Sequence, residues 1–135
     1  MRPSEWTDMA ALWPAGQDEM RRLTQELIET TAALEGVSWE VVFREGVSYS
    51  FRAKTEGDGR PLMVMIDVIP PADDEWWLSV CFFGEDITDP QEMGDLVPGG
   101  LMGQDGYCFD LEEADRGQLA YLLERVREAH QAAKG

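Results

Sequence analysis

The sequence predicts an α+β domain in two layers: a mostly antiparallel sheet of four to five strands packed on N- and C-terminal helices. Three observations predict it. Helical apolar spacing occupies both ends of the chain, four period-2 runs lie between them, and turn residues separate those runs. A chain of 135 residues is the usual size of one domain, so residues 1–135 read as a single unit.

Trp6, Met9, Ala10 and Trp13 recur at helical spacing over residues 4–13. Ser4 is a candidate N-cap, and Pro14 to Gly16 stop the segment. Two tryptophans on so small an element imply that it docks, and its own core is the nearest acceptor. Residues 17–35 form the first long helix. Met20, Leu23, Leu27, Thr31 and Leu34 make its stripe, Ile28 widens it, and Gly36 is placed to end it.

A hairpin follows. Val37, Trp39, Val41 and Phe43 alternate with polar residues over 37–44, and Val47, Tyr49, Phe51 and Ala53 do so over 47–54. Glu45-Gly46 supplies the turn, and residues 56–59 supply a second. The next two strands, 62–69 and 76–83, are apolar on both faces. Leu62, Val64, Ile66 and Val68 face one way; Met63, Met65 and Ile69 face the other. Trp76, Leu78, Val80 and Phe82 oppose Trp77, Cys81 and Phe83. Strands apolar on both sides are covered on both sides. The helices belong on the face of Trp39, Tyr49, Val64 and Val80. Three covers remain open for the other face: the Trp6–Trp13 segment, the connection after residue 84, or a second protomer around Met63, Met65, Trp77 and Phe83.

Asp89-Pro90-Gln91-Glu92 has the pattern of an N-cap, a first-turn proline and a capping acid, which predicts a short helix to about Asp95. Residues 97–106 carry four glycines and one proline, and predict a loop pinned by Leu101 and Met102. They make no phosphate cradle, because no GK[ST] or G-x-G-x-x-G pattern is present. Residues 106–109 read as a short strand, and Asp110 with Glu113 as the cap of the last helix. Leu119, Leu122, Leu123, Val126, Ala129 and Ala133 form that helix's buried stripe.

Charge excludes several functions. There are 27 acids against 11 bases, a net of −16, and 14 of the acids lie between Arg60 and Arg116 with no Lys or Arg among them. Such a field repels nucleic-acid phosphate and anionic lipid, and attracts a basic protein or cations. No apolar run approaches the ~18 residues of a membrane span. The first residues lack a signal peptide's apolar stretch, so a cytoplasmic location is expected. Cys81 and Cys108 therefore read as buried free thiols.

No catalytic, cofactor or metal constellation emerges. Asp86, Asp89, Glu92 and Asp95 recur every three residues but do not match a calcium loop. His130 reads as a solvated residue near a helix C-terminus, without the partners that a triad or zinc site requires. The function class that remains is a protein-binding or regulatory module, self-associating or bound to a basic protein. Its candidate surface is Met63, Met65, Trp77, Phe83, Asp86, Asp89, Leu101 and Met102. Two alternatives differ in class: an enzyme using a ligand or metal in a cleft beside residues 97–106, and a DNA mimic whose acids imitate phosphates.

The order of a helix over 17–35, meandering strands over 37–44, 47–54 and 62–69, further strands over 76–83 and 107–109, and a closing helix resembles the secretion-chaperone-like group of two-layer domains. That group includes the YjbR-like proteins and the small, acidic type III secretion chaperones. The resemblance implies a two-layer fold and a chaperone-like role, and carries over no functional residue. The helical signal at 90–95 departs from the group's order, since it follows the fourth strand.

Overall fold

The computed structural model describes residues 2–56, 60–70 and 75–134. The chain runs α1 (Glu5–Ala10), α2 (Asp18–Ala32), β1 (Val37–Arg44), β2 (Ser48–Thr55), β3 (Val64–Ile69), β4 (Trp77–Phe83), β5 (Asp95–Leu101), β6 (Gln104–Leu111) and α3 (Arg116–Lys134), with a 3-10 turn at Gly84–Asp86. The strands form one antiparallel sheet in the order β1-β2-β3-β4-β6-β5. It thus has six strands, one more than the upper expectation.

One face of the sheet is dry. Tyr49, Phe51, Ala53, Val64, Ile66, Val68, Leu78, Val80, Phe82, Phe109 and Leu111 are buried there with Leu23, Leu27 and Ile28 of α2 and Leu119, Leu122 and Val126 of α3. Alternation along each strand sends these residues to one side. The buried Thr24 and Thr31 hydroxyls of α2 donate to the carbonyls of Met20 (2.7 Å) and Leu27 (2.8 Å), which satisfies them inside the core.

The N-terminal tryptophans join the same core. Trp6 packs 6.0 Å from Phe51 and 6.3 Å from Trp13, and Trp13 lies 5.0 Å from Trp76. Gln17 fixes this column, since its carboxamide oxygen accepts from the Trp76 amide (2.9 Å) and its nitrogen donates to the Trp76 carbonyl (3.3 Å). A side-chain amide here does what a neighbouring strand would do for the start of β4.

Four local expectations are corrected. Residues 90–95 are not helical: Glu92 has φ +52° and only one turn closes, from the Glu92 amide to the Asp89 carbonyl at 3.0 Å. The Asp89 carboxylate accepts from the Met93 and Gly94 amides (3.0 and 2.9 Å), so it caps a chain reversal instead of a helix. Residues 97–106 are no loop but most of a β5–β6 hairpin. Its turn is Met102-Gly103, with φ +52° and +82°, and its register shifts between Val97 and Leu101. The strand around 106–109 extends over Gln104–Leu111, so Asp110 stays in the sheet. The cap of α3 is Asp115, whose carboxylate accepts from the Gln118 amide at 3.1 Å. Finally, His130 is buried, and its Nε2 donates to the Glu35 carbonyl at 2.8 Å, tying α3 to the end of α2. The stripe on α3 is wider than its leucines alone indicated.

The reversal at Gly94 depends on the missing side chain. A Cβ there would lie 2.7 and 2.9 Å from Phe109 ring atoms and 2.9 Å from Tyr107. Replacing Gly94 with Ala is expected to lower unfolding free energy by about 1–3 kcal/mol through overpacking. Urea denaturation measures this; an unchanged midpoint would mean that the segment lifts without cost.

Candidate functional site: the open face of the sheet

The side chains between the dry-face residues point away from all three helices. Strand register arranges them in rows across the sheet. One row is Val42, Ser50, Asp67, Ser79 and Asp110; the next is Glu40, Arg52, Met65, Cys81, Cys108 and Asp95. Ile69 pairs with Trp77 at one end of the central strands. Ser38 and Lys54 pair at the opposite end of β1 and β2, where Lys54 also meets Glu40 at 3.1 Å.

Neither intramolecular cover expected for this face spans it. The α1 segment lies on the dry side, and the connection after residue 84 joins the sheet as β5 and β6. Only one corner is closed. There Leu62, Phe83 and Leu101 are buried together, with Met65 against them. Arg60 seals the corner: its guanidinium sits 4.8 Å from the Phe83 ring centre, donates to Asp86 at 2.9 and 3.2 Å, and donates to Gln104 at 2.8 Å. Elsewhere Met65, Asp67, Ile69, Trp77, Ser79 and Cys108 remain partly exposed.

The eight residues expected to form one surface are therefore divided. Met65 and Trp77 lie on the open face. Phe83 and Leu101 are buried in the closed corner, and Asp86 is engaged by Arg60. Met63 donates its amide to Ala53, the residue opposite Val64, at 2.7 Å; the chain kinks there and the side chain enters the main core. Asp89 faces the α3 side, where the Tyr121 hydroxyl donates to it. Met102 stands at the hairpin tip, 62% exposed.

The two cysteines are not free thiols. Cys81 and Cys108 are register partners on β4 and β6, with Cα atoms 4.1 Å apart, and they are joined by a disulfide. Close antiparallel pairs bring Cβ atoms within bridging distance. Sequence reading treated each cysteine alone; the signal that could have paired them was their shared face once β4 and β6 were set side by side.

Asp67 is a perturbed group on this face. Burial pushes its carboxyl above the ordinary Asp range, against the opposing pull of the Ser50 hydrogen bond and the Arg52 and Arg44 charges. Its Oδ1 is buried without a hydrogen-bond partner. Asp110 is raised as well, by burial and by the nearby Asp95 and Glu112 carboxylates. The acids on the α3 side behave oppositely. Burial works to raise Asp89, but the Tyr121 hydroxyl and the Gly94 and Met93 amides hold it below the ordinary range. Glu128 is likewise lowered despite burial, by hydrogen bonds from the Thr88 hydroxyl and amide and by Arg125.

No group of three or more His, Cys, Asp and Glu side chains is placed to hold a metal ion among the described residues. No helix among them is long and apolar enough to cross a membrane. Comparison with known proteins finds no matching family model, no matching curated protein and no matching solved structure.

Because Asp67 is raised in the folded state, ionising it costs stability at neutral pH, and that cost disappears as pH falls through its folded value toward 3.8. Asp67→Asn keeps the shape and the Ser50 contact while removing the charge. It is expected to raise the melting temperature at pH 7 and to match the wild type near pH 3.5. Thermal melts across that range test the sign, and a neutral-pH melting temperature below the wild type's would reverse it.

Proposed function

We propose that this chain is a small acidic binding module of chaperone-like or regulatory character, which self-associates through the open face of its sheet. One observation carries the proposal: that face has apolar side chains on both sides of its central Asp67–Ser79 pair and carries opposite charge at its two ends. Met65, Ile69 and Trp77 lie on the two central strands, and the disulfide joins β4 to β6 beside them. Toward β1 and β2 stand Arg44, Arg52 and Lys54 against the single acid Glu40. Toward β6 and β5 stand Asp110 and Asp95, and the base at that end, Arg60, is held by Asp86 and Glu85.

A wholly basic or wholly acidic partner would fit half of this surface and be repelled by the other half. A second copy fits both. The sheet's midline falls between β3 and β4, and a two-fold axis along the strands there lays the β1–β2 end of one copy over the β6–β5 end of the other. Apolar side chains within a charged rim are the usual anatomy of an interface. Six strands about 4.8 Å apart and about 20 Å long give a face of roughly 600 Å², near the lower end of what stable complexes bury per partner.

Binding is favoured over catalysis because the acids best placed for chemistry are already occupied. Asp86 is held by Arg60, Asp89 by two amides and Tyr121, and Glu128 by Thr88. A concavity does lie beside the hairpin, lined by Gly84, Glu85, Leu96, Gln104, Asp105 and Tyr107. Pairing of the open faces would leave the acids along residues 85–95 and on α3 outward, available to a basic protein. A cytoplasmic location remains part of the proposal.

Light scattering after size-exclusion chromatography tests it with two variants. The wild type is expected to be a dimer, and Met65→Lys a folded monomer by circular dichroism. Arg52→Glu should weaken the dimer about tenfold or more, and adding Asp95→Arg should restore part of the loss. A wild-type monomer at all concentrations, or a dimer indifferent to both single substitutions, overturns the reading.

A further inference from the structure

We propose that the Cys81–Cys108 disulfide is a thiol-exchange site, opened by attack on Cys108 and selective for cationic thiols. The bond joins two central strands on the side away from every helix, so no helix shields it. The two sulfur-bearing residues are unequal. Cys81 is 5% exposed, hemmed in beside Met65 and Ser79, whose hydroxyl lies 3.7 Å from its sulfur. Cys108 is the partly exposed one. An incoming thiolate needs a line of approach to the sulfur it attacks, and only Cys108 offers one.

The surroundings of Cys108 set which thiol arrives. Asp95 is its register partner on β5, and Asp110 is the next residue on the same face of β6. Register sets Asp95 and Asp110 diagonally across β5 and β6, and the Asp95 charge adds to the burial that raises Asp110. On this face the Arg60 guanidinium, over the Phe83 ring, is already paired with Asp86 and Glu85, and Arg52 lies on β2, three strands from β6. The whole chain carries −16. An anionic thiol meets this field as repulsion and a cationic one as attraction, and both effects fade as salt rises.

The chemistry balances without a further reagent. A thiolate RS⁻ attacks Cys108 Sγ, the RS–Sγ bond forms, and the Cys81–Cys108 bond breaks. The electron pair leaves with Cys81 Sγ, which takes a proton from solvent. A second RS⁻ attacks the sulfur of the R group, releasing RSSR and the Cys108 thiolate. Two thiols are oxidised and one disulfide is reduced. Alternatively the Cys81 thiolate attacks the mixed disulfide and restores the starting bond. In a reducing compartment such an exchangeable pair is the kind of disulfide that occurs, whereas inert structural ones are rare there.

The test uses the oxidised full chain at low protein concentration, with cysteamine, 2-mercaptoethanol and 2-mercaptoethanesulfonate at equal thiolate concentration. Reduction by cysteamine is expected to exceed that by the sulfonate by about tenfold or more at low salt, and to converge with it near 1 M salt. Acid-quenched mixed disulfide should map to the Cys108 peptide. The paired substitution Asp95→Asn and Asp110→Asn should narrow the ratio. Equal low-salt rates, an adduct on Cys81, or a rate independent of thiol concentration would overturn the proposal; the last would mean that attack waits for unfolding. Repeating the reaction at high protein concentration separates this proposal from self-association. Slower exchange supports a covered face, and unchanged exchange with charge selectivity intact counts against the dimer alone.

Discussion

The pairing of β3 with β4 is the constraint on which the rest of the structure depends. Val68 opposes Leu78 and Ile66 opposes Val80 on the dry side, and all four are fully buried. Burying each of these side chains contributes roughly 1.5–3 kcal/mol, and a one-residue slip would send all of them to the other face together. That register also fixes what the opposite face presents. Once Ile66 points into the core, Met65 and Asp67 must point out of it, and Ser50, Ser79, Arg52 and Cys81 fall into line beside them. The charge gradient and the cysteine pair are therefore consequences of core register and need no independent device.

Most of this was legible because period is a strong signal. The long helices, the Glu45-Gly46 turn and the four central strands follow from apolar spacing, and the structure places them within a few residues of expectation. What was not legible has identifiable physical causes. Asp89-Pro90-Gln91-Glu92 carries helix-start chemistry, yet an aspartate that caps a helix can equally cap a turn. Five residues later, Gly94 must pass against the Phe109 and Tyr107 rings, and tertiary contact decides between the two. The β5–β6 hairpin hid for a different reason. Its turn residues are Met102-Gly103 instead of the Asn-Gly or Asp-Gly that advertise such a turn, and Pro98, Gly99 and Gly100 read as breakers inside what is an edge strand.

Of the eight candidate-surface residues, Met65 and Trp77 were legible as open-face side chains. Sequence alternation correctly separated Met65 and Trp77 from the helix-facing set. It could not see that Arg60, from the far end of the β2–β3 connection, would roof Phe83, or that a kink at Met63, where its amide donates to Ala53, would turn that side chain inward. Both depend on residues distant in sequence or on a broken period. The polar row through Ser50, Asp67, Ser79 and Asp110 was equally invisible from single strands, since a row across a sheet exists only after the strands are ordered.

Electrostatics then distinguishes the two sides of the molecule. Asp89 and Glu128 are lowered because neighbours donate hydrogen bonds to them, so their charges help to hold residues 87–94 against α3 at neutral pH. That help is fully present above the ordinary carboxylate range and is lost as pH falls toward their depressed folded values. Asp67 and Asp110 are raised chiefly by burial, in Asp110 with the added push of the Asp95 and Glu112 charges. Carboxylates crowded by like charge at the β6–β5 end are what a partner with bases at the matching position would relieve. The same chain holds Arg44, Arg52 and Lys54 at the other end of that face. A second copy turned about the strand direction brings those bases toward Asp110 and Asp95, and in doing so it closes over Cys108. Self-association and thiol access are thus set in competition by one surface: whatever relieves the acids also shields the sulfur.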